Sequence, residues 1–160
     1  MYRFAPNPHQ TKVELYRELR DAAAALVAGE PDGVANMANL AALIWQFVPR
    51  LNWAGFYRVV EGELVLGPFQ GGPACIRIAF GHGVCGTAAA SGETQLVPDV
   101  HAFPGHIVCD AASASELVVP VRRGGTVIAV IDLDSTDLAR FDAEDARGIE
   151  ALAVAIASAI

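Results

Sequence analysis

Two early stretches place apolar residues at helical spacing. Over residues 12–28, Val13, Leu15, Tyr16, Leu19, Ala23 and Leu26 interleave with Glu14, Arg17, Glu18, Arg20 and Asp21, which predicts an amphipathic helix. Thr11 suits the N-cap, and Glu14 three residues later completes a capping box. Gly29 and Pro31 end the pattern. Residues 34–47 repeat the spacing through Met37, Leu40, Ala41, Leu43, Ile44 and Phe47, until Pro49 stops it. The link between the two helices is short, so they stay close in space.

Beyond Pro49 the texture becomes aromatic and β-branched. Residues 53–60 and 63–66 read as strands around a tight Glu61-Gly62 turn. Residues 67–74, with three glycines and two prolines, read as a loop, and residues 76–80 as a further strand. Residues 84–91 are small and alanine-rich, enough for one or two helical turns, and residues 95–97 are strand-like. Residues 98–115 form a long irregular segment, and a loop of that length in a compact domain is usually functional or mobile. Residues 117–122 and 126–133 are strands joined by Gly124-Gly125, a hairpin signal. A final helix over residues 142–160 opens on Asp142 as N-cap, with Asp145 at the third helical position.

The order predicts an α+β fold: a central, mainly antiparallel six-stranded sheet with N- and C-terminal helices packed on one face. With 160 residues, 53% of them hydrophobic and 18% charged, one domain over residues 1–160 is expected, and intrinsic disorder is excluded. The formal charge of −7 sets the surface against nucleic-acid backbones. No apolar run is long enough to span a bilayer, and residues 1–10 carry no signal-peptide pattern, so a cytoplasmic protein is expected.

Three cysteines in such a chain argue against a structural disulfide framework, and none forms a C-x-x-C pair. Cys109 lies three residues after His106 in a turn-rich segment. A nearby imidazolium or backbone N–H groups would lower its pKa, although a small buried apolar residue is the commoner fate of a free cysteine. Cys85 is crowded by glycines, and Cys75 sits between a loop and a strand. Each alone is more often inert. Together, at loop edges, they suggest a redox relay in which one thiol resolves a sulfenic acid on another.

Asp132 and Asp134, two apart on a strand, share one face, and the Gly124-Gly125 hairpin brings Glu116 to the same end. Like charges gathered there raise the pKa of at least one, which makes a proton donor; solvated strand ends are the equally open alternative. Trp53 and Tyr57, four apart, also share a face and suit an apolar pocket for a thioether, or plain core packing, which is where Phe56 belongs. His101, His106 and Cys109 match no standard zinc spacing, so no metal is expected.

Six ordered blocks carry a family resemblance: Asn52-Trp-Ala-Gly-Phe-Tyr57, Gly67-Pro-Phe-Gln-Gly-Gly-Pro-Ala-Cys75, Gly83-Val-Cys-Gly86, Phe103-Pro-Gly-His-Ile-Val-Cys-Asp110, Ser115-Glu116 and Asp132-Leu-Asp-Ser135. They resemble the free methionine-R-sulfoxide reductases, which are single GAF-domain enzymes. The resemblance implies that Cys109 is the nucleophile, Cys75 the main resolving thiol and Cys85 an auxiliary one. It implies that Glu116, Asp132 and Asp134 hold the sulfoxide oxygen and ammonium of the substrate, and that Trp53 and Tyr57 line the methyl-thioether pocket. It further implies an oxidoreductase without cofactor, recycled by thioredoxin and homodimeric. Gly72 departs from the larger, often basic residue expected there. The competing class is a non-catalytic GAF sensor or dimerisation module, since fold alone does not settle function.

Overall fold

Side-chain caps set the helix starts. In the computed structural model, which describes residues 6–7, 9–107 and 111–160, Thr11 and Glu14 form the expected reciprocal box at the head of α1 (Lys12–Val27). Asp32 accepts from the backbone of Val34 and Ala35 to open α2 (Gly33–Phe47). Six strands follow, interrupted by one short helix: β1 (Trp53–Val60), β2 (Glu63–Gly71), β3 (Arg77–Ala79), α3 (Gly83–Ser91), β4 (Gln95–Val97), β5 (Ser115–Arg123) and β6 (Thr126–Ser135). The last helix, α4 (Ala143–Ile156), carries a second capping box made by Asp142 and Asp145. It ends four residues short of the expected boundary. No helix among the described residues is long and apolar enough to cross a membrane.

The strands form one sheet in the order β3-β2-β1-β6-β5-β4, antiparallel at every pairing. Gly124 and Gly125 both have positive φ, +58° and +84°, as a two-residue hairpin turn between right-twisted strands requires. β2 differs from the expectation: the glycine- and proline-rich residues 67–71 extend the strand. A bulge between Gly55 and Tyr57 adjusts its register on β1. The glycines there answer to close approach, since a Cβ at Gly67 would stand 2.8 Å from the Phe56 carbonyl oxygen. The long 98–115 segment also contains a 3-10 turn, Val100–Ala102, capped by Asp99.

Strand alternation sorts the core into two layers. Ala54, Phe56, Leu117, Val119, Ile131 and Leu133 face α1, α2 and α4, which lie together on one side as expected. Trp53, Tyr57, Val118 and Val130 face the opposite side, where α3 contributes Val84, Cys85, Ala88 and Ala89. That second layer is small, and it opens at one end into the site.

Candidate active site

Two strands, β5 and β6, deliver the acidic residues to one edge of the α3 face, and β1 brings the aromatic pair. The registers pair Glu116 with Asp134 and Val118 with Asp132, while Trp53 stands opposite Asp134 and Gly55 opposite Asp132. Period-two alternation then turns Trp53, Tyr57, Glu116, Asp132 and Asp134 toward the same cavity, which they line together with Cys85, His82, Gly83, His106 and Ile107. The carboxyl triad and the aromatic pair therefore meet, as the alternation and the hairpin had indicated.

Glu116 and Asp132 are both 6% exposed. Burial pushes the Glu116 carboxyl well above its usual range, and the neighbouring Asp132 and Asp134 charges add to the rise. Burial also raises Asp132, to about 6, while hydrogen bonds from Cys85 and Glu116 work against that rise. Burial thus favours a retained proton on this carboxyl pair. Oδ1 of Asp132 has no hydrogen-bond partner among the described residues. A buried, unsatisfied carboxylate oxygen is costly, so it stands ready for a donor brought by a ligand.

Cys85 was expected at a loop edge. It instead sits in the first turn of α3, buried, with Sγ 3.9 Å from Oε1 of Glu116. The donor atoms of Cys85, Glu116 and Asp132 all lie within 4.8 Å of one another. Burial first, then the Asp132 and Glu116 charges, push the Cys85 thiol up, away from the thiolate.

The aromatic walls do more than line the cavity. Trp53 and Tyr57 stack at 5.9 Å between centroids, and Trp53 stacks on Phe69 at 5.2 Å. Trp53 Nε1–H donates to the Gly72 carbonyl at 3.1 Å, and the Tyr57 hydroxyl donates to the Cys75 carbonyl at 3.0 Å. Burial, reinforced by the Asp132 charge, raises the Tyr57 pKa, so it remains a phenol and a donor. Both rings therefore fasten the β2–β3 connection that carries Cys75. Gly72 contributes its carbonyl there, and the space a Cβ would take is open. Cys75 is disulfide-bonded, and Cys85 is a free thiol. Cys109 lies outside the described residues, with Val108 and Asp110.

His106 lines the cavity, and its pKa is lowered by burial and by His101, whose ring meets it edge-on at 6.4 Å. Sequence reasoning missed Ile107, whose side chain lies 3.2 Å from where a Gly83 Cβ would be, and Ser113, which accepts from Asn52 Nδ2 at 3.0 Å. Neither carries a sequence signal beyond its place in the long 98–115 segment.

Residues 34–160 match the GAF domain model. The chain is 49% identical over 141 residues to the free methionine-R-sulfoxide reductase of Escherichia coli, covering 88% of this chain and 86% of that protein. It belongs to the GAF-domain family of free methionine-R-sulfoxide reductases. The enzyme of that name from Saccharomyces cerevisiae is 45% identical over 150 residues, covering 89% of this chain and 83% of the relative. The X-ray structure of free methionine-R-sulfoxide reductase from Neisseria meningitidis in complex with its substrate superposes with a TM-score of 0.91 at 44% identity, covering 98% of each chain. The GAF architecture and the α+β class thus agree with the resemblance carried by the six sequence blocks.

Proposed function

We propose that this protein reduces free L-methionine-(R)-S-oxide to L-methionine. The observation that carries the reading is the buried Glu116–Asp132 pair, which has no cationic partner among the described residues and faces a cavity walled by Trp53 and Tyr57. The names of the E. coli and S. cerevisiae relatives, and the substrate complex of the N. meningitidis enzyme, support it.

Sulfoxide sulfur is a poor electrophile until its oxygen takes a proton or a strong hydrogen bond. Neutral Glu116 is placed to supply that proton. Asp132 and Asp134 pair with the substrate's α-ammonium, a group a methionine inside a peptide lacks, and this favours the free amino acid. Trp53 and Tyr57 pack on the methyl-thioether end. Cys109 thiolate attacks sulfur, and the oxygen passes to the cysteine. Methionine leaves reduced by two electrons, and Cys109 becomes a sulfenic acid oxidised by two. The Cys75 thiol then displaces that oxygen as water and forms a disulfide with Cys109. An external dithiol, thioredoxin in this reading, exchanges with the disulfide and restores both thiols. The auxiliary resolving role asks Cys85 to become a thiolate beside two carboxyls. Its burial opposes this, so Cys75 is kept as the resolving thiol. Such a cycle fits a reducing, cytoplasmic compartment. Val13 on α1 and Val154 on α4, 63% and 81% exposed, offer apolar surface for the expected homodimer.

Methionine release from racemic free methionine sulfoxide with dithiothreitol tests this reading. The wild type consumes the R epimer only, and Cys109→Ser loses activity by at least about 100-fold. Binding without methionine release by the wild type would mark a sensor, and retained activity in Cys109→Ser would remove the nucleophile.

A further inference from the structure

Three donor atoms from three elements converge at the cavity. Cys85 comes from the first turn of α3, Glu116 from β5 and Asp132 from β6, and all three are buried. One donor atom from each lies within 4.8 Å of the other two, with Cys85 Sγ 3.9 Å from Glu116 Oε1. This set shares no member with His101 and His106, and its residues stand too far apart along the chain to make a zinc spacing. A separate observation points to a cation. Asp132 is 6% exposed and lines the cavity, and its Oδ1 has no hydrogen-bond partner among the described residues. A buried carboxylate oxygen accepts only, so what completes it is a donor or a positive charge. No lysine or arginine is among the described residues that line the cavity.

We propose that Cys85, Glu116 and Asp132 form a binding site for a thiophilic divalent cation, Zn2+ above all, and that the bound cation excludes the substrate. One sulfur and two carboxylate oxygens suit a tetrahedral zinc, whose fourth position faces the cavity and takes water. Its ligand atoms stand about 3.4–3.6 Å apart, given Zn–S of about 2.3 Å and Zn–O of about 2.1 Å. Side-chain torsions close the remaining gap. Mg2+ and Ca2+ are selected against, because they ask for six or more oxygens and gain little from a thiol. Binding forms one Zn–S and two Zn–O bonds, and the thiol proton and any proton held by the carboxyls go to solvent. No electron moves. The exclusion rests on the reductase reading, in which the same carboxyls take the sulfoxide oxygen and the ammonium; the binding site does not.

The full chain with Cys75→Ser and Cys109→Ser keeps Cys85 as its one sulfur ligand, and Co2+ serves as the visible probe. The expected spectrum has a thiolate-to-cobalt charge-transfer band and intense tetrahedral d–d bands, all bleached by Zn2+. Adding Cys85→Ser abolishes the charge-transfer band, and either Cys85→Ser or Asp132→Asn weakens Zn2+ binding by about 100-fold or more, at least what loss of an outer partner costs a metal site. A spectrum without the sulfur band, or Zn2+ affinity unchanged in both folded variants, overturns the site. Single-turnover methionine release by pre-reduced wild type, freed of added thiol, reads the exclusion. Zn2+ at ten times its Kd raises the half-saturating concentration of free methionine-R-sulfoxide about tenfold, and Cys85→Ser needs about 100-fold more Zn2+ for the same shift. Inhibition that excess substrate does not relieve overturns the exclusion. Should the wild type release no methionine, the reductase reading falls by itself, and the cobalt spectra still decide the site.

Discussion

Asp145 and Asp132 are both buried aspartates, 1% and 6% exposed, and the molecule holds them in opposite ways. Asp145, in the first turn of α4, accepts from the Tyr16 hydroxyl at 2.8 Å, from Lys12 Nζ at 2.8 Å and from the Asp142 backbone at 2.8 Å, with Arg140 at 3.5 Å. Two cations and a phenol surround one carboxylate, and they tie α1 to α4. Asp132 has a thiol and a second carboxyl, no cation among the described residues, and one oxygen without a partner. The first arrangement surrounds a carboxylate with cations. The second leaves a proton undecided, and an acid catalyst needs that. Buried carboxyls alone therefore say little about function; the company they keep separates a clasp from a site.

Breaking the clasp gives the largest expected effect. Asp145→Ala leaves the Arg140 side chain, 3% exposed, without its carboxylate. Stability falls by about 3–5 kcal/mol in chemical denaturation, because an uncompensated charge stays buried. The acid pair is held by other strands, so methionine release per folded molecule persists below the new unfolding midpoint.

Acid acts on the two regions with opposite sign, and this is the smaller effect. Asp132 is raised from 3.8 to about 6 in the folded state, so the folded protein keeps a proton that the unfolded chain gives up. Its contribution to stability is complete below about pH 4 and is lost as pH rises through about 6. Asp142, which Lys12 and backbone N–H groups hold below the usual carboxylate range, contributes at neutral pH and loses that contribution only on acidification. Denaturation curves for wild type and Asp132→Asn between pH 4 and 7 separate the two. The wild type loses on the order of 2–3 kcal/mol relative to the variant across that window. Parallel curves would remove the raised Asp132 from the account.

Period and turn chemistry made much of this legible before any coordinates. Two-residue alternation put Asp132 and Asp134 on one face, Gly124-Gly125 fixed the hairpin that brings up Glu116, and the same alternation put Trp53 and Tyr57 together and Phe56 in the other layer. Contacts that depend on how separate elements pack were out of reach. Cys85 touches Glu116 across 31 residues because α3 folds back over the sheet, which no local pattern encodes. Residues 67–71 read as a loop because glycine and proline usually mark one, whereas here glycine admits the neighbouring strand: a Cβ at Gly71 would stand 2.7 Å from the Asn52 carbonyl oxygen. Gly72 and the Cys75 carbonyl, as acceptors for Trp53 and Tyr57, follow from that misread strand and were hidden with it.

Glu116→Gln is the most direct probe of a neutral carboxyl acting as proton donor. The amide keeps the size and a hydrogen-bond donor but cannot release a proton. The account predicts that kcat for free methionine-R-sulfoxide falls by about 100-fold or more while thermal stability holds, since the amide replaces a carboxyl that is already neutral at similar size. Wild-type turnover in Glu116→Gln, with the protein folded, would contradict it.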